Sequence, residues 1–198
     1  MTIEGSGVAT TGIRLNSGAS LAIVNCVVRH FNGTGILLAP AAAMSFLIVN
    51  TLVLDTLSTG DGILVDPQGN GSANGVIYHV VASQNGHAIY VRGVDSTGPI
   101  NVTVVNSTLS GNNGDGVIAQ SISGHSATAV MVRDSISSNN GVGFSEAGPA
   151  TLRLAHSVAT GNDIGIQVNG GVLNSYVDND INGNTNDNTG VLTPLAMH

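Results

Sequence analysis

The chain has no lysine and no tryptophan, three tyrosines, three phenylalanines and one cysteine, and only 9% of its 198 residues are charged. Each shortage excludes something. One cysteine cannot close a disulfide within the chain, so cysteine usage is silent about redox compartment, and Cys26 reads as a small buried thiol. Five arginines (Arg14, Arg29, Arg92, Arg133, Arg153) stand against twelve acids, and a formal net charge of −7 argues against nucleic acid and anionic membrane surfaces as partners. No apolar run approaches the roughly 18 residues of a membrane-spanning helix, and the first twenty residues lack the basic start and apolar stretch of a signal peptide. Yet 42% of the residues are hydrophobic, enough to fill a core, and 27 glycines with 21 asparagines make the chain turn-dense, which together exclude disorder.

What is abundant is a phrase that recurs seven times. Its first half is Gly-apolar-any-apolar: Gly12-Ile13-Arg14-Leu15, Gly35-Ile36-Leu37-Leu38, Gly62-Ile63-Leu64-Val65, Ala88-Ile89-Tyr90-Val91, Gly116-Val117-Ile118-Ala119, Gly143-Phe144-Ser145-Glu146 and Gly165-Ile166-Gln167-Val168. Successive anchors lie 23, 27, 26, 28, 27 and 22 residues apart, too short a period for a propeller blade and too β-rich for a helical solenoid. The second half is a strand such as Leu21-Ala22-Ile23-Val24-Asn25, whose last residue gives the column Asn25, Asn50, His79, Asn106, Asp134, His156, Asp178.

One such repeat cannot bury an apolar face alone, so equivalent strands must stack about 4.8 Å apart around a shared core. The expected fold is all-β: a single-stranded parallel β-helix of about seven coils with three parallel sheets. Strand alternation sends Ile13, Ile36, Ile63, Ile89, Val117, Phe144 and Ile166 inward as one ladder. Leu15, Leu38, Val65, Val91 and Val168 form a second, and Ile23, Ile48, Ile77, Val104, Val132 and Leu154 a third. Small residues after the polar column (Cys26, Thr51, Ser107, Ser135, Ser157) suit a tight bend, and the Asn-Gly-rich stretches at Asn32-Gly33, Gly111 to Gly114, Asn139 to Gly141 and Gly161-Asn162 supply another corner. The repeat implies one domain over 1–198 without a linker. No amphipathic helix precedes Thr2, so the first coil is expected to be uncapped, belonging to a longer protein or covered by another copy. The tail 185–198, with Leu192-Thr193-Pro194-Leu195, is expected to fold over the opposite end as a modest cap.

The pattern Ile-any-Asn-small-apolar, Asn-Gly, Gly-Ile-any-apolar resembles the right-handed parallel β-helix repeat of the pectate-lyase-like superfamily. Ala19-Ser20-Leu21, Ala150 to Leu154 and Ile181-Asn182-Gly183-Asn184 are similar to the C-terminal part of uncharacterised bacterial β-helix repeat proteins. The resemblance implies a right-handed coil and an extracellular or periplasmic setting. It leaves function open among lyases, hydrolases, epimerases, adhesins and inert scaffolds.

Enzymes of that superfamily work on the outer face of the sheet made by the Gly-apolar strands, where the outward column here is Arg14, Leu37, Leu64, Tyr90, Ile118, Ser145, Gln167. Arg14 is its only basic residue, poor material for a lyase acting on a polyanionic sugar. The column just before each strand, Thr11, Thr34, Asp61, His87, Asp115, offers two carboxylates and an imidazole. Two coil spacings put Asp61 and Asp115 roughly 9.6 Å apart, near the separation of an inverting glycosidase pair. The same residues serve equally as turn formers at a strand entrance. Glu146 falls in an inward apolar column and is expected to turn outward at Ala147-Gly148-Pro149. Asp178, Asp180 and Asn182, followed by Gly183, match the opening of a calcium loop, the one cofactor the chain suggests, but Thr189 stands where the closing Glu belongs. His79 and His156 read as bend residues, and His30, His125 and His198 as isolated.

Exposed apolar surface is the stronger signal. Leu37, Leu64, Tyr90 and Ile118 make a stripe over four coils, and the column Ala22, Leu47, Val76, Thr103, Met131 is partly apolar. Either the stripe is an interface, or loops such as Val94 to Pro99 and Ser121 to Ser126 fold back over it. The preferred expectation is a non-catalytic β-helix scaffold or surface and carbohydrate-binding module that self-associates through its N-terminal end or its stripe. The alternative is a polysaccharide-active enzyme using Asp61, His87 and Asp115.

Overall fold

The structure is a computed structural model that describes residues 1–57 and 59–196. Ser58, Met197 and His198 lie outside the described residues, and with them the imidazole expected to stand alone at the C-terminus. Among the described residues all regular structure is strand, arranged as three parallel eight-stranded sheets. The chain visits the sheets in strict rotation. The first runs from Thr2–Glu4 to Asp180–Ile181, the second from Thr11–Leu15 to Asn186–Thr189, the third from Ser20–Val24 to Leu192–Leu195. About seven turns of a β-solenoid therefore connect the first and last strands of each sheet, as the repeat requires. Among the described residues no helix is long and apolar enough to cross a membrane.

The predicted ladders are the observed registers. Ile13, Ile36, Ile63, Ile89, Val117, Phe144 and Ile166 pair in succession, and from Ile36 onward every member is fully buried. Ile23, Ile48, Ile77, Val104, Val132 and Leu154 do the same in the third sheet. The three-residue strands of the first sheet add an inner column, Val28, Val53, Ala82, Leu109, Ser137, Ala159. Ser137 tolerates that place because its hydroxyl donates to Gly143 O at 2.8 Å.

The corners need polar chemistry, because there the backbone leaves the sheets and its N–H and C=O groups would otherwise be buried without partners. Asn85, Asn112, Asn140, Asn162 and Asn184 meet this need as an internal amide ladder. Asn112 Oδ1 accepts from both the backbone and the side-chain N–H of Asn85 at 3.1 Å, while its Nδ2 donates to Ala82 O at 3.2 Å and to Asn140 Oδ1 at 2.9 Å. The Thr56 hydroxyl closes one end on Asn85 Oδ1 and Asp187 the other on Asn184 Nδ2. At the opposite corner, Thr51, Ser107, Ser135 and Ser157 each donate to the carbonyl two residues before and accept a backbone N–H from the previous coil.

Two columns turn the chain through left-handed backbone. Asn25, Asn50, His79, Asn106, Asp134 and His156 have φ between 46° and 55°. Short polar side chains tolerate this region and β-branched ones do not, which explains the column's composition. A second such column, His30, Asp55, Gln84, Gly111, Asn139, Gly161, Gly183, ends the strands of the first sheet.

Three expectations are corrected. Glu146 does not turn outward: it pairs between Ala119 and Val168 inside the solenoid and is 1% exposed, one carboxyl oxygen accepting the Asn169 backbone N–H. His30 is not isolated, since its two ring nitrogens stand 2.5 Å from Glu4 Oε1 and 3.2 Å from Asp55 Oδ2 on the adjacent coils. The C-terminal run does not fold over the end; Asn186–Thr189 and Leu192–Leu195 continue the second and third sheets by one more rung.

Candidate functional site

The outer face of the second sheet gathers the candidate residues. Register places Arg14, Leu37, Leu64, Tyr90 and Ile118 in one outward column, and from Leu37 to Ile118 all four apolar members are half-buried. Period-two alternation puts a second outward row two residues further on: Asn16, Ala39, Asp66, Arg92, Gln120. That row is knit together. Arg92 Nη1 lies 3.1 Å from both Asp66 oxygens and also bonds Asp95, Gln68 donates to Asp66, and the Tyr90 hydroxyl donates to Gln120. The loops beyond the row pack on their equivalents in adjacent coils, Gly69 bridging Ser96 and the Ser96 hydroxyl meeting that of Ser126. Between the rows lies a shallow cavity of about 460 Å³, floored by Leu37, Ala39 and Leu64 and edged by Arg14, Asn16, Asp66, Gln68 and Asp95.

On the other side of the stripe, Asp61, His87 and Asp115 occupy successive coils as the repeat predicted, and the structure gives them unequal roles. Asp115 is 6% exposed; its Oδ1 accepts the Ser145 hydroxyl at 2.5 Å and its Oδ2 stands 2.8 Å from His87 Nδ1. The Asp115 backbone N–H also donates to the same Nδ1 at 3.0 Å, so Asp115 engages Nδ1 from both its side chain and its backbone, and Nε2 is the ring nitrogen left for an external partner. The His87 side chain is 32% exposed and meets the Tyr90 ring edge-on at 5.3 Å. The side-chain hydrogen bond that the Asp115 carboxylate accepts raises the His87 pKa against the opposing effect of burial. Burial pushes Asp61 up to about 6, although His87 and Arg92 pull it back. Asp66 is raised for the same reason, desolvation exceeding the pull of Arg92.

Sequence reasoning missed Ser145 as the group that fixes Asp115, and missed the Asp66, Arg92, Gln120 row. Counting two residues beyond each stripe position would have found the row. The Ser145 contact crosses coils obliquely and has no periodic signature.

The calcium candidates are spread among other duties. Asp178 accepts the His156 backbone N–H at 3.1 Å and sits 2.9 Å from its Nε2, Asn179 turns inward to Leu154 O, and Asn182 bonds Asp180. Among the described residues no three His, Cys, Asp or Glu side chains converge as a metal-binding group. His156 lies between Asp134 and Asp178, and His79 bonds Asn50, in keeping with their reading as bend residues. The more exposed apolar surface is at the corner of the first three coils, where Val24, Leu47, Leu52, Val76 and Tyr78 are each 38% to 47% exposed.

No known family, no curated protein and no solved structure matches this chain.

Proposed function

We propose that this chain is a right-handed β-helix of the pectate-lyase-like kind whose second sheet binds an extended polysaccharide along the solenoid axis without cleaving it. The observation that carries this reading is the stripe Leu37, Leu64, Tyr90, Ile118, half-buried and one coil apart, bordered on both sides by hydrogen-bonding rows. A sugar ring has an apolar face and a hydroxyl-bearing edge. A flat apolar stripe about 4.8 Å in repeat, flanked by Asp61 and His87 on one side and Asp66, Gln68 and Gln120 on the other, matches both. Acids outnumber free bases at this face, since Arg92 is committed to Asp66 and Asp95, which favours neutral sugars over polyuronates. Methyl chemical-shift mapping with oligosaccharides tests the reading. It predicts shifts confined to Leu37, Leu64 and Ile118, and shifts elsewhere count against it.

A second reading is supported by the Asp115–His87 contact. There His87 Nε2 acts as a base, with Asp115 as its positioning residue and Asp61 as the acid. Asp115 has both oxygens engaged, so the imidazole and not the carboxylate would take the proton from water. Release of reducing ends, abolished in His87→Ala and Asp61→Asn, would establish this reading in place of the first. Self-association through the first coil at the N-terminal end, which leaves the stripe free for the sugar, is a further part of the proposal. A mass that stays monomeric across a dilution series removes it.

A further inference from the structure

Glu146 is a carboxyl group in a place the repeat reserves for apolar side chains, between Ala119 and Val168 in the inner column. Its Oε1 accepts the Asn169 backbone N–H at 2.7 Å, and its Oε2, buried, has no hydrogen-bond partner. Two carbonyl oxygens lie on the same side of the Gly171 backbone as Oε2. The point at which a Cβ on Gly171 would stand lies 2.2 Å from Oε2 and 2.3 Å from the carbonyl oxygens of both Gly148 and Ala150. Only glycine fits at 171, and three acceptors face one another across it. Each carbonyl already accepts one N–H, from Ala150 at 2.8 Å and from Val172 at 3.0 Å, which leaves each a free lone pair. An ionised carboxylate there would set a buried charge against two carbonyl dipoles. A protonated one supplies the missing donor.

We propose that Glu146 is a structural proton site: a neutral carboxylic acid that donates from Oε2 to the carbonyls of the Gly148–Ala150 turn and pins that turn to the next coil. Burial is also the largest influence on its titration and raises its pKa, offset in part by the Gly171 and Asn169 N–H groups. No charged residue occurs in the turn Ala147 to Ala150 or in Asn169 to Val172, and its column neighbours are apolar, so no neighbouring charge favours its ionised form. Arg153 lies on the following strand and forms no ion pair with it among the described residues. The adjacent residue on the strand is Ser145, whose hydroxyl holds Asp115, so the same corner also supports the candidate site.

The chain has only two glutamates, Glu4 and Glu146, which makes the test direct. Protein labelled with carbon-13 at the glutamate carboxyl carbon gives two resonances, assigned by loss of one in Glu146→Gln or, should that variant not fold, in Glu4→Gln. Titrated from about pH 3 to about pH 8, the Glu146 resonance is expected to keep its protonated position throughout the range in which Glu4 ionises. Glu146→Gln, whose amide keeps the acceptor for Asn169 and adds the donor toward Gly148 and Ala150, should melt at a temperature less dependent on pH than the parent. Two resonances titrating together near the ordinary glutamate value would overturn the proposal, as would a Glu146→Gln variant whose melting follows pH as the parent's does.

Discussion

His87 Nδ1 and Asp115 Oδ2 stand 2.8 Å apart on neighbouring coils, with the Ser145 hydroxyl closing on the other Asp115 oxygen from the coil beyond. Three coils thus fix one imidazole. Replacing Asp115 by Asn removes the charge that raises the His87 pKa and leaves the burial that lowers it. The His87 titration midpoint, followed by ring-proton NMR, is expected to fall. An unchanged midpoint would mean the contact does not govern the ring.

The pH dependence of stability has a definite sign. Asp61, Asp66, His87 and Glu146 all bind protons more tightly folded than free. The folded state therefore holds more protons than the unfolded one, and stability falls as pH rises. The contribution of Asp61 is fully present below its ordinary value of 3.8 and is lost as pH passes about 6, an effect of up to roughly 3 kcal/mol. Glu4, shifted the other way, opposes this from the surface. Calorimetry should find a higher Tm at about pH 5 than at about pH 8; the reverse order would show that other groups dominate.

The amide ladder should be costly to interrupt in its middle. Asn112→Ala strips partners from Asn85, Ala82 and Asn140 at once, leaving buried donors and acceptors unpaired. A loss of about 2–4 kcal/mol in denaturant unfolding is expected. Asn184→Ala, at the less buried end, should cost about half as much or less. Equal losses at both positions would contradict a ladder whose strength comes from burial.

The left-handed corners sort substitutions by backbone alone. Asn106 has φ 49°, is exposed and precedes Ser107 of the hydroxyl ladder. Asn106→Gly is expected to change stability by less than about 0.5 kcal/mol, and Asn106→Val to lower it by about 1–2 kcal/mol. Urea midpoints of the two variants decide this, and a tolerated valine would show that the bend does not need the conformation.

The apolar ladders were legible in the sequence because alternation and period are carried by many residues at once, so Ile36 above Ile63 above Ile89 needs no side-chain detail. The asparagines were legible as corners but not as an internal ladder, since the same residue suits an exposed turn and a buried amide stack. Glu146 and His30 were misread for the opposite reason to the ladders. Each depends on single contacts, with Asn169 in one case and with Glu4 and Asp55 in the other, and no repeat announces them. At the candidate site the column Asp61, His87, Asp115 was visible. That Asp115 is enclosed and His87 is the outward group follows only from the Ser145 contact.

The central claim is that the stripe on the second sheet holds polysaccharide. Affinity electrophoresis through gels containing a panel of neutral and acidic polysaccharides measures it directly, comparing the parent chain with Leu64→Asp and Tyr90→Ala, two outward positions whose loss leaves the core ladders intact. The account predicts retardation of the parent by at least one neutral polysaccharide and loss of that retardation in both variants at unchanged Tm. Retardation by none of the panel, or variants retarded as strongly as the parent, would contradict it.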